Sequence, residues 1–322
     1  MSGVDEAAHG ADVLPASRVQ SKASRFIRAD LKAGVRSVRI LAATAAVTPG
    51  MVIALVCFYS FTIWTVLISM TDSKVLPSYH FAGLIQYRRL VSSGRWWISI
   101  ENLAAFLTFA IPLSLLGGFT LAIIVHNGKK SALRNVLMIP MSVSFVAAGV
   151  AWKWILSPDI GIQAAVRALG WHGFAFDWLV RADRSIYTLV IVSIWQQTGF
   201  CMLLFLAGLR GIDREIWNAA RLEGVRRFRI HIHIIAPMLR RSVFTGVILM
   251  MCAGVKSYDL VLMLTGGGPG FSSDMPARFV MQELMERQEI GLGAAGAVVM
   301  LCMVIVAVGP YAYMELARSK PG

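Results

Sequence analysis

The sequence predicts an all-α, polytopic membrane protein with six transmembrane helices, and three observations predict it. Of 322 residues, 57% are hydrophobic and only 15% charged, with a mean hydropathy of +0.64; a soluble domain carries about 25% charged residues. The apolar residues lie in long charge-free runs, and those at 40–71, 102–128, 185–209 and 290–314 reach the ~20 residues needed to cross a hydrocarbon core. Charge is also unequally divided. With the N-terminus inside and six crossings, the inside segments hold 20 basic residues against 8 acidic, and the outside loops 10 against 9. That asymmetry is the positive-inside pattern, so the net charge of +13 reports topology. No aromatic-interleaved basic face points to nucleic acid.

The elements follow in order. Residues 1–39 lack the apolar h-region and cleavage site of a secretory signal. Within them Phe26, Ile27, Leu31, Val35 and Val38 recur at helical spacing, with Arg25, Arg28, Lys32, Arg36 and Arg39 between. This reads as a cytosolic tail with an interfacial amphipathic helix, or as a solvated basic tail. The remainder, 40–322, forms the transmembrane domain. Its first span lies within 47–70, and an outside loop follows in which Trp96 and Trp97 suit the headgroup level. The second span lies within 102–128 and the third is 135–152, just long enough. The next outside loop turns at Ser157-Pro158-Asp159, since proline lacks the N–H a helix interior needs. The fourth span, 185–209, returns to a basic inside segment, 210–241. The fifth leaves near Ser242, is interrupted by Lys256 and Asp259, and ends near Leu264; the sixth is 290–314. Both termini are then cytosolic.

Chemistry-bearing patterns are few. Cys57, Cys201, Cys252 and Cys302 fall inside the apolar runs with no C-x-x-C pair, and read as small buried apolar side chains. His231 and His233, two apart, point to different faces of a helix, so no metal site and no catalytic cluster is expected. Gly128-Lys129-Lys130-Ser131 lacks the upstream glycine of a phosphate loop and Gly266-Gly267-Gly268-Pro269 has no lysine. Energy therefore comes from another subunit or from an ion gradient.

The stretch Asn218-Ala219-Ala220-Arg221-Leu222-Glu223-Gly224-Val225, followed by Ile234 and Pro237, predicts a short helix over 214–222 and a turn at Gly224. A second helix follows over 226–235. Small Ala219 and Ala220 allow a partner to approach closely. The alternative is an ordinary basic loop obeying charge topology.

This stretch resembles the EAA loop of binding-protein-dependent ABC importer permeases, whose pattern runs E-A-A-x-x-D-G-A, then an Ile and x-x-P. Phe81-Ala-Gly-Leu-Ile-Gln-Tyr87, Trp152-Lys-Trp-Ile-Leu-Ser-Pro158, Leu206-Ala-Gly-Leu-Arg210 and Leu264-Thr-Gly-Gly-Gly-Pro269 are similar to the carbohydrate branch, of maltose and glycerol-phosphate type. The resemblance covers residue 47 to the C-terminus. It implies the type I importer fold, a bacterial inner-membrane location, alternating access and a sugar substrate. It also implies four kinds of partner: a second permease subunit forming a heterodimer, two ATPase subunits that carry ATP and Mg, an extracytoplasmic solute-binding protein, and the lipid bilayer. The chain itself binds no cofactor and catalyses no covalent step. Glu215, Asn218, Ala219, Ala220, Glu223 and Gly224 would dock the ATPase. Two departures stand out there: Asn218 replaces the family's first Glu and cannot form a charged pair, whereas Glu223 replaces its Asp and keeps the charge.

Lys256, Tyr258 and Asp259 are candidates for the substrate pathway. At about 1.5 Å per residue from Ser242, Lys256 lies roughly 21 Å into the fifth span, where an ionisable group signals function. Lys256 and Asp259 either form a neutralised i,i+3 pair on one helical face or Lys256 helps an anionic sugar pass. Trp195, Gln196 and Gln197 sit near the middle of the fourth span; their amides either bond neighbouring helices or line a polar pathway. Rival readings are an ion-gradient-driven secondary transporter, a membrane enzyme, and a structural or signalling subunit. The first wants carboxylates inside the membrane, and the spans offer only Asp259.

Overall fold

The computed structural model describes Thr44 and residues 47–78, 80–128, 131–224, 226 and 229–318. The basic segment read as an amphipathic helix lies outside the described residues. The chain divides into two units, Met1–Ile63 and Trp64–Gly322, the boundary falling inside the first long helix, α1 (Val47–Ser69). In the first unit α1 presents exposed Val47, Met51, Phe58 and Phe61.

The second unit is helical, and no strand occurs among the described residues. A short helix α2 (Ile85–Ser92) leads into α3 (Gly94–Asn127), whose start is fixed by the Ser93 hydroxyl accepting from the Trp96 amide. There follow α4 (Ser131–Ser142), α5 (Phe145–Ile155), α6 (Ile162–Ala168), α7 (Ser185–Arg210) and α8 (Arg214–Leu222). Then come α9 (Ile230–Met238) and α10 (Arg240–Val255). The chain closes with α11 (Asp259–Leu264), α12 (Pro276–Met285) and α13 (Ile290–Arg318).

Four described helices, α1, α3, α7 and α13, are long and apolar enough to cross a membrane alone. Two bent pairs, α4 with α5 at 96° and α9 with α10 at 68°, bring the count to six where each pair is one span. The third span is therefore not one straight helix. Pro140 precedes the bend by two residues, and the Ser144 hydroxyl restarts the chain by accepting from the Ala147 amide at 3.2 Å. Within the second helix expected after Gly224, the stretch Ile230–Ile235 is π-helical, and the Ile230 amide bonds the Arg226 carbonyl at 3.2 Å.

The central packing joins α3 to α7, which run in the same direction. A Cβ at Gly118 would overlap that of Cys201, and one at Gly199 would lie 2.6 Å from the Leu137 carbonyl of α4. Small residues let backbones meet, which is how helices associate where lipid removes the hydrophobic drive. Cys201 is buried as expected, but Cys57 and Cys302 are exposed.

At the end where α3 and α7 begin, a buried ion network fastens the bundle. The Arg95 guanidinium donates to Asp274 at 2.7 Å and faces Glu283 at 3.6 Å. Arg278 bonds Asp274 at 3.1 Å, and Arg287 bonds Glu283 at 2.9 Å. Arg95 also reaches Gln282 and stacks 4.7 Å over Phe271. Burial pushes the Glu283 carboxyl above its ordinary value, against the opposite pull of Arg287 and Arg95. Beside the network Trp96 is buried against Phe279, ring centres 5.3 Å apart. Of the two tryptophans assigned to the headgroup level, only Trp97 is exposed.

Candidate functional site

Two regions hold the residues singled out in the sequence. The first is α8, at the end of the bundle where α3 and α7 finish. Helix α7 closes at Arg210 with Gly211, and α8 opens with Glu215 in its first turn, where a carboxylate suits the helix dipole. Ala220 is buried, whereas Glu215, Asn218, Ala219, Leu222, Glu223 and Gly224 are exposed. Gly224 takes φ +69°, a left-handed turn that glycine adopts without a Cβ penalty.

Trp217 secures the helix. Its ring stacks on His126 of α3, centroids 5.4 Å apart and 22° between planes, and meets His231 of α9 edge-on at 5.6 Å. A recess of about 430 Å³ adjoins it, lined by His126, Asn127, Arg210, Ile212, Trp217 and Asn218. One face of α8 is thus held by the bundle, and the other is free and includes an apolar residue, Leu222, that is 89% exposed. Sequence reading missed Trp217. Its partners come from helices roughly 90 residues before and 14 after it, so no local pattern pairs them.

The second region is a cavity of about 210 Å³ bounded by α3, α5, α7, α10, α11 and the link between the last two. Gln197, Lys256, Tyr258 and Asp259 all line it, with Phe106, Phe145 and Ser193. Trp195 and Gln196 do not. Gln196 donates from Nε2 to the Val143 carbonyl at 2.6 Å, satisfying a backbone group freed by the α4–α5 bend, and the Trp195 ring packs edge-on against Trp152 at 5.6 Å.

The expected i,i+3 face of Lys256 and Asp259 does not exist. Helix α10 stops at Val255, Lys256 caps it, and α11 restarts at Asp259. Among the described residues neither forms an ion pair. No group of three metal-ligating side chains occurs among the described residues.

An α-helical bundle with bent helix pairs, a cavity of mixed polar and apolar lining between its helices and a short amphipathic helix held at one end is the architecture of a membrane transport subunit. The chain belongs to the family described as binding-protein-dependent transport system inner membrane component, whose pattern matches residues 114–319. It is similar to a probable ABC transporter permease of Pyrococcus horikoshii, 30% identical over 82% of this chain and 92% of that one. It is also similar to the xylose/arabinose import permease of Haloferax volcanii, 28% identical over 82% of this chain and 84% of that one. Its fold matches a solved bacterial ABC transporter involved in import of the acidic polysaccharide alginate. The TM-score is 0.74 at 15% identity, covering 92% of this chain and all of that one. The protein is a multi-pass, membrane-embedded permease subunit of an ABC importer, which sets aside the secondary-transporter reading.

Proposed function

We propose that this subunit forms half of the translocation pathway of a sugar importer and receives the force of ATP hydrolysis through α8. The observation that carries the reading is the division of α8 into a held face and a free face. Trp217 and Ala220 join it to the bundle, while Glu215, Asn218, Ala219, Leu222, Glu223 and Gly224 face outward. That free face docks one of two ATPase subunits, which hold ATP and Mg. Asn218 contributes hydrogen bonds to the contact, and Glu215 and Glu223 its charge.

Segment 210–241 then lies in the cytosol of a bacterial cell, with both termini on the same side, and the ion-network end faces outward. A solute-binding protein delivers sugar there, and a second permease subunit, in a heterodimer, supplies the other half of the pathway. The xylose/arabinose relative supports sugar as the substrate class. The cavity suits it, with amide, hydroxyl and charged groups for sugar hydroxyls and the rings of Phe106 and Phe145 for apolar sugar faces. Movement of α8 passes through the Trp217 ring to the ends of α3 and α9, rocking the spans that bound the cavity.

The test is reconstitution of the full importer in proteoliposomes with a panel of saccharides. ATP hydrolysis is expected to rise when a sugar-loaded binding protein is added, and cysteines placed on the free face of α8 are expected to cross-link to the ATPase. Absence of both effects would refute the reading.

A further inference from the structure

We propose that the cavity at the α10–α11 break selects saccharides that carry an anionic group, with the Lys256 ammonium as the counter-charge. The proposal rests on the sugar-import reading and narrows it to acidic sugars. It begins from the pair that did not form. A lysine and an aspartate on one membrane helix would neutralise each other, and nothing further would follow. Instead the chain leaves the helix between them. The Lys256 and Ser257 amides close the last turn of α10 on Cys252 and Gly254 at 3.4 and 3.0 Å, and α11 starts afresh at Asp259.

The break lies about 24 Å along α10 from Arg240 at helical rise, within the depth of a bilayer. Lys256 is exposed, lines the cavity, and has no ion-pair partner among the described residues. An unpaired charge at that depth is costly, and persists where it faces a water-filled path and serves the passing ligand. Interrupted helices lining such a path are a recurrent way of building a midplane substrate site.

The cavity has two poles. Lys256 is a pure donor with full positive charge, and Asp259 is a pure acceptor. A neutral sugar would satisfy Asp259 through its hydroxyls but would give Lys256 only uncharged acceptors. An acidic sugar satisfies both: hydroxyls donate to Asp259, and the carboxylate, sulfonate or phosphate meets Lys256. Repulsion from Asp259 fixes which end faces which. Ser193 and Gln197 serve the remaining hydroxyls. At about 210 Å³ the cavity is smaller than the roughly 300–1,000 Å³ typical of drug-sized sites, so it takes about one sugar ring at a time.

Equilibrium binding of radiolabelled glucuronate and glucose to the purified permease–ATPase complex, without binding protein, tests the idea free of that protein's own selectivity. Wild type should favour glucuronate by roughly tenfold or more, the scale of one charge-assisted hydrogen bond. Lys256→Gln should abolish that ratio, and Lys256→Arg should keep it, which separates charge from any loss of folding. A wild-type preference for glucose, or equal loss of both sugars in Lys256→Gln, would overturn the proposal. So would binding of neither sugar. In all three cases uptake of neutral saccharides by the full importer still decides whether the sugar-import reading stands.

Discussion

Trp217 carries two ring contacts, to His126 and His231, which tie a surface helix to two other helices alongside buried Ala220. Each is worth about 0.5–1.5 kcal/mol beyond area burial. Trp217→Ala should therefore shift the docking of α8 by about 1–3 kcal/mol, roughly a 5- to 150-fold change in population. The expected readout is a matching fall in binding-protein-stimulated ATP hydrolysis with the complex still assembled, and Trp217→Phe should restore most of it. Undiminished stimulation in the alanine variant would show that α8 is held by other contacts. Arg95 is the opposite kind of residue, a charge whose role is fixed by burial. Arg95→Met leaves Asp274 and Glu283, both almost fully buried, short of their shared partner, which costs about 3–5 kcal/mol. The midpoint of heat inactivation should fall sharply. Arg95→Lys should recover only part of it, because an ammonium cannot reproduce the guanidinium fork that bonds Asp274 through two nitrogens.

At the level of elements, the bend between α4 and α5 depends on a side chain from α7. Gln196 meets the Val143 carbonyl at 2.6 Å, and Gln196→Leu would strand that carbonyl at about 1–3 kcal/mol. The expected result is a lower melting temperature of the purified complex, with Gln196→Asn failing to rescue because it is one methylene too short. An unchanged melting temperature would mean that water serves the carbonyl equally well. The same bend shows what the sequence made legible. Charge-free length located the four helices that are long enough to cross alone, and the Ser157-Pro158-Asp159 turn and Gly224 followed from local chemistry. Bends were hidden because hydropathy measures length and not direction: residues 135–152 are equally apolar whether straight or folded through 96°. The break after Val255 was hidden for a related reason. Spacing of three implies a shared face only if the helix continues, and nothing in Lys256-Ser257-Tyr258 forbids continuation. Of the six pathway candidates, Gln197, Lys256, Tyr258 and Asp259 share the cavity. Gln196 was correctly seen as an amide needing a partner, but which partner depends on a bend that the sequence does not announce. The α3–α7 crossing at Gly118 and Cys201 was equally invisible, since it joins residues 83 positions apart.

Across the whole molecule, the ion network stiffens one end, α8 is held at the other, and the cavity lies between them. On the proposed reading, force entering at α8 would pass through packed helices to a cavity wall made of broken ones. This arrangement functions only if the two ends lie on opposite sides of the membrane, and two leucines make that testable. Leu222 at the end of α8 is 89% exposed, and Leu169 after α6 is 88% exposed. Equal accessibility means that a cysteine at either position reacts at a rate set by the side of the membrane from which the reagent comes. With the half-buried Cys252 replaced by alanine, the remaining native cysteines give a low background: Cys201 is buried, and Cys57 and Cys302 lie within the apolar helices α1 and α13, where a membrane-impermeant maleimide does not reach. In intact spheroplasts Leu169→Cys should label and Leu222→Cys should not, and inverted vesicles should reverse the pattern. Co-expression of the ATPase should then protect Leu222→Cys alone. Labelling of both positions from one side would place α8 beyond reach of a cytosolic motor, and force could not enter through Trp217.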